Sequence, residues 1–92
     1  MDQSEILTTI ETAIRNVVNN QNLTVKSDSR LVEDLGLESI DLLDLSSELE
    51  NSLGKELDFR EVADYAERKS GVPAELKGIK VSDIIEYIRA NP

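Results

Sequence analysis

Residues 31–53 read LVEDLGLESIDLLDLSSELENSL, and this stretch decides the fold class. Its leucines recur at steps of three, four and four residues, at Leu42, Leu45, Leu49 and Leu53. That spacing places them on one side of an α-helix. The pattern predicts a helix from Ser39 to Leu53, preceded by a turn at Gly36 and ended by Gly54.

The predicted helix carries two further stripes beside the leucines. Asp41, Asp44 and Glu48 stand at i, i+3 and i+7 and form an acidic stripe. Ile40 and Leu43 form a narrow apolar strip between the acids and the leucines. Acids on one side of a helix are typical of a solvated face. For Ile40, the periodicity leaves both the core and the surface open.

The first and last helices are predicted from the same periodicity. The first runs from Asp2 to Asn20 and begins with a capping pattern of Asp2 and Glu5. Its apolar stripe consists of Ile6, Ile10, Ala13, Ile14 and Val17. The last helix is predicted at Val81 to Ala90. Its buried face consists of Val81, Ile84, Ile85 and Ile88.

A third helix is predicted between these two, from Asp58 to Ser70, with Asp58 and Glu61 as a capping box. Its apolar face consists of Phe59, Val62, Ala63 and Ala66. The connection from Gly71 to Lys80 is predicted to hold one turn at Pro73 to Leu76.

The long connection between the first two helices runs from Gln21 to Glu38. Its apolar residues predict that it is pinned to the core, with a helical turn near Leu31 to Leu35. The fold class is therefore predicted to be all-α, one domain over residues 1–92: a four-helix bundle with a long loop between helices one and two and an extended third-helix region.

Charge and missing residue types exclude several functions. The net charge of −9 on 92 residues repels nucleic acid and favours basic protein partners. The chain contains no histidine and no cysteine, so a Ser-His-Asp triad and the usual zinc ligands are absent. We therefore expect neither an enzyme nor a metal site. No apolar run reaches the roughly 20 residues of a membrane span, and no signal-peptide pattern is present, so we expect a cytoplasmic protein.

Ser39 stands where the turn meets the second helix. Serine is a leading N-cap residue, so the local sequence alone favours a capping role. The missing histidine argues against a role of Ser39 as a nucleophile activated within its own chain. The wider motif supplies a second interpretation.

The segment EDLGLESIDLLDLSSELE resembles the modification-site segment of acyl carrier proteins, whose common form reads roughly EDLG-x-D-S-L-D-x-x-E-L. The closing VSDIIEYI is similar to the last helix of that family. The resemblance implies that a separate phosphopantetheinyl transferase attaches 4′-phosphopantetheine to Ser39, and that the arm holds acyl groups as thioesters. The attached phosphate suits a helix N-terminus, and both roles of Ser39 stay open.

The resemblance also implies a docking face and a pocket. Acyl-loading, synthase or acyltransferase enzymes with basic patches would dock on Glu38, Ile40, Asp41, Leu43, Asp44 and Glu48. The acyl chain would fold back between helices two and three, against Leu45, Leu49, Phe59 and Val62. We expect a monomer that meets each partner briefly.

The sequence departs from the family in three informative places. Glu38 stands where the family most often has aspartate before the serine, which keeps the charge and lengthens the side chain. Ser46 stands where the family has an aliphatic residue, which predicts a looser core or a bond from its hydroxyl to a carbonyl one turn earlier. The chain is also longer than the compact form between Leu57 and Val81, as in carriers that serve specialised pathways such as lipid A acylation. A carrier of aminoacyl or polyketide units and an unmodified acidic adaptor remain alternatives.

Overall fold

The computed structural model describes residues 2–73 and 75–91. Within them the chain forms four α-helices: α1 (Gln3–Val17), α2 (Ser39–Leu53), α3 (Phe59–Ser70) and α4 (Val81–Ala90). A short 3₁₀ helix, Leu76–Gly78, lies between α3 and α4. The predicted all-α class is confirmed, because no strand is present in the described ranges. None of these helices is long and apolar enough to cross a membrane.

Helix α1 begins as predicted and ends early. The Asp2 carboxylate accepts a hydrogen bond from the Glu5 amide at 2.9 Å, which satisfies one of the free N–H groups of the first turn. The helix stops at Val17, and Asn19 then adopts a positive φ of 54°. The predicted end at Asn20 was therefore three residues too late. The buried face consists of Ile6, Ile10, Ala13 and Ile14, while Val17 is half-buried.

Helices α2 and α4 have the predicted bounds. Gly54 ends α2 with a φ of 72°, a left-handed conformation that glycine adopts at little cost. The leucine stripe of α2 is narrower than predicted: Leu45 and Leu49 are fully buried, whereas Leu42 and Leu53 are half-buried. All four predicted apolar residues of α4 are buried.

Helix α3 is capped by Asp58, although not through the predicted box. The Asp58 carboxylate accepts from the amide of Arg60 at 2.8 Å. The Glu61 carboxylate instead accepts from the Tyr87 hydroxyl on α4 at 2.6 Å. Phe59, Val62 and Ala63 are buried, and Ala66 is half-buried.

The loop between α1 and α2 is anchored by backbone hydrogen bonds as well as by apolar residues. Val25, Leu31 and Leu37 are buried. The Leu31 amide donates to the carbonyl of Ile79 at 2.9 Å, and the Val81 amide donates to the carbonyl of Ser29 at 3.0 Å. This pairing joins the loop to the segment before α4, and thereby fixes one end of the extended region.

The predicted helical turn near Leu31 to Leu35 is present. It is closed by a hydrogen bond from the Leu35 amide to the Arg30 carbonyl at 3.1 Å. The turn predicted at Pro73 to Leu76 is displaced, because the 3₁₀ helix occupies Leu76–Gly78. Ala74, inside the predicted turn, lies outside the described residues.

The contacts among the helices leave a gap between α2 and α3. Helix α1 packs against α2 and α4, while α3 packs against α4 and the 3₁₀ helix. One shared core includes residues from all four helices and from the loop. The first turns of α2 and α3 border a groove, and the candidate site lies at this groove.

Candidate functional site

Ser39 is the first helical residue of α2, and it is not the cap. The cap position belongs to Glu38, whose backbone is extended (φ −96°, ψ 173°). The Glu38 amide is satisfied by the Asp41 carboxylate at 2.9 Å. The capping interpretation of Ser39 was therefore wrong by one residue. Ser39 is exposed, and its hydroxyl has no hydrogen-bond partner in residues 2–73 and 75–91.

The turn before α2 explains the acids of the EDLG motif. The Asp34 carboxylate accepts from the Arg30 amide at 2.8 Å, and the Glu33 carboxylate pairs with the Arg30 guanidinium. Gly36 completes the turn with a φ of 71°. Any side chain in that left-handed conformation is disfavoured. The motif thus builds the turn from which Ser39 emerges at the helix N-terminus.

The predicted docking residues differ in how freely they can meet a partner. Asp44 and Glu48 are exposed, whereas Asp41 is half-buried and already bonded to the Glu38 amide. Ile40 is 65% exposed and Leu43 is 70% exposed. Of the two interpretations that periodicity left open for Ile40, the core residue is therefore wrong and the surface residue is correct. Large apolar side chains this exposed beside unengaged carboxylates are typical of an interaction surface.

A groove of about 590 Å³ opens beside Ser39. Its apolar lining comes from α2, the α2–α3 connection, the start of α3 and the 3₁₀ helix: Leu42, Leu43, Leu57, Phe59 and Leu76. Ser39 itself is one of the lining residues. A group attached to the Ser39 hydroxyl would therefore lie next to the apolar side chains that line the same groove.

Two polar side chains of α2 bind the backbone of Leu57, which lines this groove. The Ser46 hydroxyl donates to the carbonyl of Leu57 at 3.1 Å, and the Glu50 carboxylate accepts from the amide of Leu57 at 3.1 Å. Both backbone groups of Leu57 are thus satisfied by α2. The bond predicted from Ser46 to a carbonyl one turn earlier was wrong. A signal was available in the sequence, since Ser46 and Glu50 stand at i and i+4 on one face.

The four predicted pocket residues occupy different places. Phe59 lines the groove. Leu45, Leu49 and Val62 are each 0% exposed and belong to the core. Leu76 and Arg60, which also line the groove, were not among the predicted site residues. Leu76 lies in the segment that is longer than the family form, where no family pattern could identify it.

The residues around Ser39 fit an attached phosphodiester. The hydroxyl is exposed and unengaged, and it belongs to the first turn of a helix, where free N–H groups and the dipole favour an anion. In the described ranges, no group of three or more His, Cys, Asp or Glu side chains is placed to hold a metal ion.

Comparison with known proteins identifies the family of the chain. Among curated proteins, no relative matches the chain. A family model described as a phosphopantetheine attachment site matches residues 8–67, which include most of α1, all of α2 and most of α3. Domains of this family bear 4′-phosphopantetheine covalently on a serine, and they are generally carriers without catalytic activity. The chain belongs to the phosphopantetheine attachment-site family and is a carrier protein of the acyl carrier type.

Proposed function

We propose that Ser39 bears the 4′-phosphopantetheine arm. The observation that carries this proposal is the exposed, unengaged hydroxyl at the start of α2, beside an apolar groove. The hydroxyl oxygen of Ser39 would attack the pantetheine-bearing phosphorus of coenzyme A, lose its proton and displace adenosine 3′,5′-bisphosphate, in a reaction catalysed by a separate transferase. The chain itself supplies only the acceptor and catalyses no step.

The attachment site is tested by intact mass after incubation with coenzyme A and a broad-specificity phosphopantetheinyl transferase. Wild type is expected to gain one phosphopantetheine mass and Ser39→Ala none. Ser47→Ala is a matched control, since Ser47 is also an exposed serine of α2. A modified Ser39→Ala protein, or an unmodified wild type, would refute the assignment.

We further propose that the arm carries acyl groups as thioesters and delivers them to enzymes of fatty acid or specialised lipid synthesis, such as lipid A acylation. The apolar lining of the groove supports an aliphatic cargo over an aminoacyl one. Partners would be acyl-loading, synthase or acyltransferase enzymes with basic patches, which dock on the exposed Ile40, Leu43, Asp44 and Glu48. The protein would act as a cytoplasmic monomer, with residues 1–92 as one carrier domain.

The cargo is tested by melting the holo protein loaded with short and long acyl chains. If the chain lies in the groove, each buried methylene stabilises the folded state by up to about 0.8 kcal/mol, and Tm rises with chain length. Leu76→Ala should flatten that rise, because Leu76 lines the groove. Val72→Ala is the control, since Val72 is exposed in the same connection but does not line it. A Tm that ignores chain length in all three proteins would contradict an acyl groove.

A further inference from the structure

Arg60 is the one basic side chain among the described residues that line the groove. The acids of the lining are Glu50, Glu56 and Asp58. Four of the other nine bases form ion pairs within the described residues, among them Arg15 with Glu11 at 3.5 Å and Lys69 with Glu86 at 3.2 Å.

The Arg60 guanidinium makes no such pair within residues 2–73 and 75–91, although three acids line the same groove. One of these, Asp58, binds the backbone amide of Arg60. An exposed guanidinium at the second position of α3 is therefore available to an anion that the protein alone does not supply.

The groove also contains the place where such an anion is attached. Ser39 lines it, so a phosphodiester on the Ser39 hydroxyl introduces a fixed negative charge into the groove that holds Arg60. We propose that Arg60 binds the phosphate of the 4′-phosphopantetheine arm and so directs the arm from α2 across the groove towards α3. This inference rests on the proposed attachment at Ser39.

The chemistry suits arginine in particular. Its planar guanidinium presents paired N–H donors that match two phosphate oxygens, which a lysine ammonium does not do. Glu38 and Asp41 flank Ser39 with negative charge, and their repulsion of a phosphate opposes the attraction that the free N–H groups at the start of α2 exert on it. The positive charge of Arg60, on the α3 side of the groove, offsets that repulsion and orients the arm towards α3.

A carboxylate at the end of a cargo group is the other anion that could reach Arg60. The phosphate is favoured because it is attached at Ser39 whatever the cargo is, and because the rest of the lining near Arg60 is apolar or acidic. The two sources are separated by comparing apo protein, holo protein with a free thiol, and holo protein loaded with butyryl or succinyl groups. The last two differ by a terminal carboxylate.

The experiment measures the arginine side-chain Nε–Hε resonances by NMR, and Tm at low and high salt. Arg60→Gln removes the proposed partner, and Arg68→Gln removes an equal charge from α3 outside the groove. Intact mass first verifies that each protein carries the arm.

In wild type, the Arg60 resonance should shift on conversion from apo to holo with the thiol still free. The Tm change on conversion should be about 2–4 °C less favourable in Arg60→Gln than in wild type or Arg68→Gln. That difference should vanish at 1 M salt, where charges are screened.

A resonance that shifts only in the succinyl form would assign Arg60 to the cargo and overturn the proposal. Equal Tm changes in all three proteins would overturn it as well, while leaving the attachment at Ser39 intact. A wild type that is not modified would remove both conclusions together.

Discussion

Reversing one charge on α2 tests the docking face, and the structure decides which charge to reverse. Asp41 is unsuitable, because its carboxylate holds the Glu38 amide at the start of the helix. Its reversal would therefore weaken α2 as well as docking. Asp44 is exposed in the middle of the helix, so Asp44→Lys changes the surface alone. Asp64→Lys is a matched control: Asp64 is an exposed aspartate inside α3, and both variants move the net charge by the same two units.

The expected size follows from the exposure of the side chain. An exposed ion pair is worth about 0.2–1 kcal/mol, and a reversal replaces that attraction by a repulsion of similar size. The cost is then about 0.4–2 kcal/mol, or about a two- to thirty-fold slower reaction when partner encounter limits the rate. The screening length is about 30 Å at 0.01 M salt and about 3 Å at 1 M, so the loss should nearly disappear at high salt.

The assay is the initial rate of modification by the transferase at subsaturating carrier concentration, in low and high salt. Helicity and Tm are measured alongside to verify folding. Asp44→Lys should be slow at low salt, while Asp64→Lys should remain close to wild type. Equal rates for the two variants would show that only net charge matters, and an equal loss at 1 M salt would show that the effect is not electrostatic. Either result would refute a docking role for the acidic face of α2.

Two further predictions concern the contacts that hold the helices together. Tyr87→Phe should lower stability by about 0.5 kcal/mol, because the bond to Glu61 is exposed. That bond, together with burial, raises the pKa of Tyr87 to about 12. Because folding stabilises the protonated hydroxyl, the contribution of the bond to stability is complete below pH 10 and is lost as the pH rises towards 12. The advantage of wild type over Tyr87→Phe in urea unfolding should therefore shrink as the pH rises from 10 to 12, and a constant difference would contradict this. Ser46→Ala should cost about 1 kcal/mol, since the Leu57 carbonyl loses its donor, whereas the exposed Ser47→Ala should stay within about 0.5 kcal/mol. Equal unfolding midpoints for the two serine variants would exclude the contact.

The helices could be predicted because their signals are local. The leucine steps of α2 and the isoleucine pattern of α4 define their lengths, and Gly54 adopts the left-handed conformation expected after a helix. The end of α1 was placed too late because asparagines stop a helix less sharply than glycine, and Asn19 supplied the positive φ before the run was complete.

The position of the cap at α2 could not be predicted from residue preference. Both Glu38 and Ser39 are polar, and a serine is the better cap on average. The Asp41 carboxylate reaches the Glu38 amide, which satisfies the cap residue from within the first turn. That contact makes Glu38 the cap and Ser39 the first helical residue, and the Ser39 hydroxyl has no hydrogen-bond partner in the described residues.

Long-range backbone pairing was also invisible in the sequence. The hydrogen bonds between residues 27–31 and 79–82 use main-chain groups only, so no side-chain pattern marks them. They nevertheless position the 3₁₀ helix and, with it, Leu76 on the groove. The segment before α4, which is longer than in the family form, is thus held by main-chain hydrogen bonds that the family's sequence motif does not predict.

The acids near Ser39 divide into two groups, and this division limits the proposed docking surface. Glu33 and Asp34 build the turn, Asp41 caps the helix, and Glu50 holds Leu57. These carboxylates are committed to the fold, although the sequence places them beside the others in one acidic stretch. Asp44 and Glu48 have no such bond within the described residues, and they lie exposed beside Leu43. The charge available to a partner is therefore smaller and more localised than the net charge suggests, so position on α2 should matter more to docking than total charge.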